Sequence, residues 1–198
     1  MTEIRSEEKD KKSADGADPL TEKFLKTRQI ILSGEVNKEL ADKIVRQLLV
    51  LEADDEQKTI YMYIDSPGGD VDAGFAIFDM IRFIKAPVVL IGMGLIASAA
   101  ALILLAVDSE RRVGLANSRY LIHQPSSGMR GVATDIEIHA KEIEKTRAAI
   151  DKIIAEQTGK SPEQVAKDTE RDYWLSAEEA VSYGLISRIV RVRTDLDC

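Results

Sequence analysis

The chain has 198 residues, enough to bury one sizeable core, so a single domain is the default expectation. Hydrophobic residues make up 44% and charged residues 31%, which is ordinary for a globular protein. A net charge of -7 argues against a nucleic-acid partner held by phosphate neutralisation, and a single cysteine, Cys198, rules out an intrachain disulfide and fits a reducing, cytoplasmic compartment.

Residues 1–19 form a charged arm with no apolar stretch that a secretory signal would need, and are expected to be a mobile polar tail. One domain is expected over residues 20–198. Residues 29–32 read as a short apolar strand turning at Ser33-Gly34. Asn37 is a helix cap, followed by Leu40, Ile44, Val45, Leu48 and Leu49 at helical spacing. Residues 59–64 (TIYMYI) are β-branched and aromatic, hence a strand, and residues 65–70 (DSPGGD) are a turn. Residues 73–84 are helical in period.

Residues 86–107 carry no charge and reach the length of a membrane span. Pro87, Gly92 and Gly94 interrupt the run, so a buried strand over 88–91, a tight turn and a buried helix from Ala97 onward explain it without a membrane. Residues 111–114 and 118–123 read as further short strands. Strands that alternate with helices and are apolar throughout predict an α/β fold with a mainly parallel, covered sheet. Residues 132–158 are a long helix with a narrow apolar stripe of Ile136, Ala140, Ile143, Ile150 and Ile154. Such a helix either projects onto a partner copy or lies on its own domain, and the pattern does not choose. Ser161 and Ser176 are expected to cap two more short helices.

Few residues stand out for chemistry. Tandem glycines in Ser66-Pro67-Gly68-Gly69 let backbone N–H groups face a concavity, although the same sequence also makes a plain turn. Ser98 sits among small residues where a strand passes into a helix, a favourable place for a nucleophile; taken alone, a buried helical serine is the plainer explanation. His123 ends an apolar strand and suits a general base, or else a satisfied core histidine. His139 lies on the charged long helix and is expected to be solvated. Two histidines so placed, with no cysteine pair, make no metal site. Asp172 is one of many carboxylates able to orient an imidazole.

Taken together, the segments resemble the proteolytic subunit of the Clp protease, the ClpP family, from about Arg28 to Arg193. The landmarks occur in that family's order: residues 60–69 (IYMYIDSPGG), then Ala97-Ser98-Ala99, Ile122-His123-Gln124-Pro125, Thr169-Glu170-Arg171-Asp172, and Leu175-Ser176-Ala177-Glu178-Glu179-Ala180 with Tyr183-Gly184-Leu185-Ile186. The resemblance implies a crotonase-like β/α superhelix with a projecting handle over about residues 124–158. It implies a serine-type endopeptidase in which Ser98 is the nucleophile, His123 the general base and Asp172 its orienting group. Backbone N–H groups of Gly69 and Ala99 would form the oxyanion hole, and the backbone at Gly68, Val71 and Pro125 would flank an extended peptide.

It further implies two stacked heptameric rings that enclose the sites, with Glu170 and Arg171 reporting across the ring interface and polypeptides as substrates. Tyr61, Tyr63, Ile91, Met93 and Leu115 fall where family members dock an AAA+ unfoldase of the ClpX or ClpA type. No cofactor or metal is implied; ATP is used by the unfoldase. Departures are Ala99 for the usual Met, which should make the pocket beside Ser98 roomier, Asp65 for Asn, Val113 for an aromatic, and an N-terminal segment unlike the family's apolar loop. Those departures suggest a divergent paralogue. The alternatives are a silent subunit of a mixed ring with a paralogue, a crotonase-fold enzyme acting on a CoA thioester, and a peptidase with a Ser/Lys pair.

Overall fold

The computed structural model describes residues 19–196; most of the expected polar arm, residues 1–18, lies outside them. The chain opens with α1 (Pro19–Leu25), β1 (Gln29–Ser33), α2 (Lys38–Asp54), β2 (Ile60–Ser66), α3 (Val71–Phe83), β3 (Val88–Ala97) and α4 (Ala99–Leu104). It continues through β4 (Arg112–Leu115), β5 (Arg119–Ile122), α5 (Ala133–Thr158), α6 (Pro162–Asp168), β6 (Tyr173–Ser176), α7 (Ala177–Tyr183) and β7 (Arg188–Val190). The sheet runs β1-β2-β3-β4-β7, with β5 on the far end of β3 and β6 beyond it. All pairings are parallel except β5 with β6, as strands joined by helices require.

The helices form where the sequence signals them. The Asn37 side chain accepts the Leu40 N–H at 2.9 Å and starts α2. Ser161 caps α6, and Ser176 with Glu179 makes a complete capping box for α7. The buried stripe of α2 is Ala41, Ile44, Leu48 and Leu51. Leu49, expected in the core, is instead 41% exposed, because the 3.6-residue period turns it one position off the stripe.

The largest departure is β3. A four-residue strand and a glycine turn were expected, but the strand runs ten residues straight through Gly92 and Gly94. The glycines make an irregularity rather than an end. Gly94 has φ +61, and pairing with β2 jumps from Ile64↔Gly92 to Ser66↔Ile96. Asp65 Oδ1 accepts the Leu95 N–H at 3.0 Å across this bulge. The strand thereby leaves β4, which it pairs at Leu90–Gly92, and takes up β5 at Leu95–Ala97.

Tyr120 fills the junction. It is fully buried, and its hydroxyl lies 2.9 Å from Ser118 Oγ, directly over Gly92 and Gly114. Burial pushes its phenol up to about 12. The base of α5 is tied in by Arg112, also fully buried, which donates to the Gln157 Oε1 and carbonyl at 2.9 and 2.8 Å and to the Val107 and Gly184 carbonyls at 3.2 Å. Burial lowers this guanidinium to about 10, so it remains charged at neutral pH. Ile154 and Ala155 are buried at that base, whereas Ile136 and Ile138 near the other end are 45% and 56% exposed. Of the two arrangements open to α5, its C-terminal end packs on its own chain, and only its first turns, residues 133–138, are exposed along their whole surface.

A methyl group at position 114 has no room beneath the Tyr120 hydroxyl. Gly114→Ala is expected to lower stability by about 1–3 kcal/mol, read as a fall in thermal midpoint. Gly128→Ala, with open space at that position, is the control. A Gly114→Ala midpoint equal to that of the control contradicts the packing described.

Candidate active site

Ser98 is the single residue between β3 and α4. Its backbone has φ 56 and ψ -121, a conformation that costs a non-glycine residue on the order of 1–3 kcal/mol. Neighbouring hydrogen bonds hold it there. Ser98 N–H donates to the Leu121 carbonyl at 2.9 Å, and the Ser98 carbonyl accepts the Ala101 and Leu102 N–H groups at 2.9 and 3.2 Å. Strand pairing and the start of α4 thus converge on one residue and turn its hydroxyl out of the core.

The hydroxyl meets His123, the residue after β5. Ser98 Oγ lies 2.8 Å from His123 Nε2, and His123 Nδ1 lies 3.1 Å from Asp172 Oδ1. With the proton on Nδ1, the ring donates to Asp172 and presents Nε2 as an acceptor to the serine. The three residues singled out from the sequence are therefore brought into one continuous relay. Exposure rises along it: the His123 side chain is 26% exposed and that of Asp172 is 63%.

Gln124 entered the sequence analysis only within the landmark Ile122-His123-Gln124-Pro125, with no role of its own, yet it ties this relay together. Its N–H donates to the Thr169 carbonyl at 2.6 Å and its side-chain amide to the Glu170 carbonyl at 2.7 Å, while Arg147 donates to its Oε1 at 3.1 Å. These bonds fasten the residue after His123 to the segment that carries Asp172. The one sequence signal was its place beside the histidine.

The glycine turn lies against the serine. A Cβ on Gly68 would fall 2.6 Å from the Ala97 carbonyl oxygen and 2.7 Å from Ser98 Cβ, so only glycine permits the approach. Gly68 and Gly69 have φ 90 and 147, which glycine alone adopts freely. Gly68 is itself bonded at both ends: its N–H to Ser66 Oγ at 3.1 Å, its carbonyl to the Val36 N–H at 2.8 Å. What it retains for a peptide is the second lone pair of that carbonyl. The N–H groups of Gly69 and Ala99 have no acceptor among the described residues.

A small apolar depression opens beside Ser98 and His123, walled by Val71, Ala99, Leu102, Ile122, Pro125 and Ile150. Apart from His123, no ionisable group lines it. His139, expected in solvent, is half-buried, and its Nε2 lies 2.9 Å from Ser127 Oγ, because the segment after Pro125 folds back over α5. Glu170 and Arg171 are exposed beside Asp172. Tyr61, Tyr63 and Ile91 share the outer face of the sheet, Ile91 being fully buried there; Met93 is half-buried and Leu115 is 37% exposed. Among the described residues no three His, Cys, Asp or Glu side chains are grouped to hold a metal ion, and no helix is long and apolar enough to cross a membrane.

The model of the Clp protease family matches residues 11–193. The chain belongs to that family. Among curated Clp members, it is 64% identical to ATP-dependent Clp protease proteolytic subunit 2 of Treponema denticola over 99% of this chain and 97% of that one. It is 46% identical to subunit 2 of Pseudomonas aeruginosa over 94% of each. Among solved Clp structures, a point mutant of ClpP1 from Listeria monocytogenes superposes with TM-score 0.84 at 46% identity, covering 89% of this chain and 99% of that one. The fold is thus the ClpP fold, mixed α/β around a mainly parallel sheet, and the family is one of serine endopeptidases. Neither the CoA-thioester enzyme nor the Ser/Lys peptidase finds support in these matches or in the relay.

Gly68→Ala forces the glycine turn off the serine. It is expected to slow hydrolysis of a fluorogenic peptide by about a hundredfold or more while the oligomer mass stays unchanged. A rate within about threefold of the parent contradicts the close approach.

Proposed function

We propose that Ser98, His123 and Asp172 are the catalytic residues of a serine endopeptidase that cuts unfolded polypeptides into short peptides. The observation that carries this is the unbroken relay from Asp172 through His123 to the Ser98 hydroxyl beside an apolar depression. His123 Nε2 takes the hydroxyl proton as Oγ attacks the scissile carbonyl carbon. The oxyanion that forms receives the N–H groups of Gly69 and Ala99, which are free of other acceptors among the described residues. His123 then gives its proton to the leaving amine, and an acyl-enzyme remains on Ser98. Water attacks the ester, returning a proton to His123 and then to Ser98.

Asp172 holds Nδ1–H toward itself and supports the imidazolium, remaining ionised throughout. The peptide runs extended between the backbone at Gly68, Val71 and Pro125, with the side chain before the cut in the apolar depression. Ala99, small and on the wall of that depression, does not block it. No metal or cofactor enters the chemistry.

The working form is two stacked heptameric rings, with α5 as the inter-ring handle and Glu170 and Arg171 at the contact. Support comes from the exposed Ile136 and Ile138 on the first turns of α5 and the exposure of Asp172, which a neighbouring ring would cover. An AAA+ unfoldase of the ClpX or ClpA type, itself using ATP, delivers substrate by docking on the face that carries Tyr61, Tyr63, Ile91, Met93 and Leu115. The compartment is the cytoplasm. The exposure of Asp172 also favours a second reading, in which the ring is silent until a paralogue supplies the cover.

Purified protein and Ser98→Ala should be compared for peptide hydrolysis and for mass by light scattering. The parent is expected to cleave as a large oligomer, and the variant to keep the mass and lose at least about a thousandfold in rate, on the order seen when a triad member is removed. Loss of assembly in the variant, or cleavage that survives it, contradicts the assignment. A large oligomer that cleaves only after a paralogue is added selects the second reading.

A further inference from the structure

The two faces of the sheet are covered differently. Along β2, burial alternates strictly: Ile60, Met62 and Ile64 point to the helices, and Tyr61 and Tyr63 to the other side. The outward set continues from strand to strand in register, Ile31 beside Tyr63, Tyr63 beside Ile91 and Ile91 beside Val113, with Leu115 beside Val190 further along. Ile91, Val113 and Val190 are nonetheless almost completely buried. What packs there, besides Tyr61, Tyr63 and Val89, is Leu196, the last described residue.

Leu196 is carried by a short 3-10 turn, Arg193–Leu196, that folds back from the end of β7. Asp195 fixes the fold-back. Its Oδ2 accepts the Arg191 and Val192 N–H groups at 2.8 and 3.1 Å, its N–H donates to the Val192 carbonyl at 3.0 Å, and its carbonyl accepts from Arg188 at 3.2 Å. The two backbone donors also hold its carboxyl below the usual carboxylate range. A terminal segment with that many tethers is placed, and its only apolar side chain is placed on the outer face.

We propose that the C-terminal turn is a built-in competitor for the outer face of the sheet, with Leu196 occupying the seat that an aliphatic anchor of a docking unfoldase would take. This rests on the docking face named under the proposed function. One apolar side chain leaves the seat as another enters, so the turn and the partner exclude each other. The apparent affinity for the partner is then reduced by the fraction of time the turn is down. Release of the turn costs the burial of one half-buried leucine and the Asp195 bonds, so the effect is graded rather than absolute.

The test measures docking of a purified ClpX-type unfoldase to the assembled protein, with hydrolysis of a short peptide and oligomer mass as controls for fold. Leu196→Asp and a chain that stops at Val192 are expected to dock about tenfold more tightly than the parent. Asp195→Ala is expected to do so by a smaller factor in the same direction, and Tyr63→Asp to lose docking. Turn variants that dock no better, or worse, while Tyr63→Asp loses docking, overturn the competing turn and leave the docking face standing; weaker docking would make Leu196 part of the seat. Docking that survives Tyr63→Asp, or its absence in the parent and all turn variants, overturns the docking face and the competitor together.

Discussion

Ser98 holds a left-handed backbone conformation that its side chain disfavours, and much of the surrounding structure serves to keep it there. β3 must extend to Ala97 to deliver the residue, β5 must lie beside it to accept its N–H, and α4 must begin at once to donate to its carbonyl. Gly68 must lack a side chain for the facing turn to close on it. The N–H groups of Gly69 and Ala99 are left without an acceptor among the described residues. A strain of a few kcal/mol at one residue is sustained because several independent elements over-determine it.

The distribution of cover explains why this fold serves an assembly. One face of the sheet is sealed by helices into a single large apolar core, and buried Arg112 and Tyr120 hold the seams where strands change partners. The regions left open are coherent ones: the first turns of α5, residues 133–138, and the segment around Asp172. The His123–Asp172 hydrogen bond is open to water, and the bonds from Gln124 to the Thr169 and Glu170 carbonyls also hold the two segments together.

Much of this was legible in the chain. Period and capping residues located the helices, because Asn37, Ser161 and Ser176 carry local physics that no tertiary contact overrides. The relay residues were legible only through the resemblance, since a serine among alanines, a histidine at a strand end and one aspartate among many have blander explanations singly. What could not be read was long-range. Gly92 and Gly94 look like a turn until a neighbouring strand pairs through them, and Leu49 looks like core until the direction of the helix face is known. Gln124 and His139 act through partners 46 and 12 residues away, and the backfolded Leu196 depends on a sheet face assembled from four strands.

The central claim is that Ser98 is poised by His123 and the turn around it to act as a nucleophile. Treatment with a fluorophosphonate, followed by intact mass measurement and peptide mapping, tests it most directly. One adduct per chain on Ser98 in the native oligomer, absent after denaturation, is the predicted result. A well-assembled oligomer that takes no label, or takes it on another serine, would contradict the account.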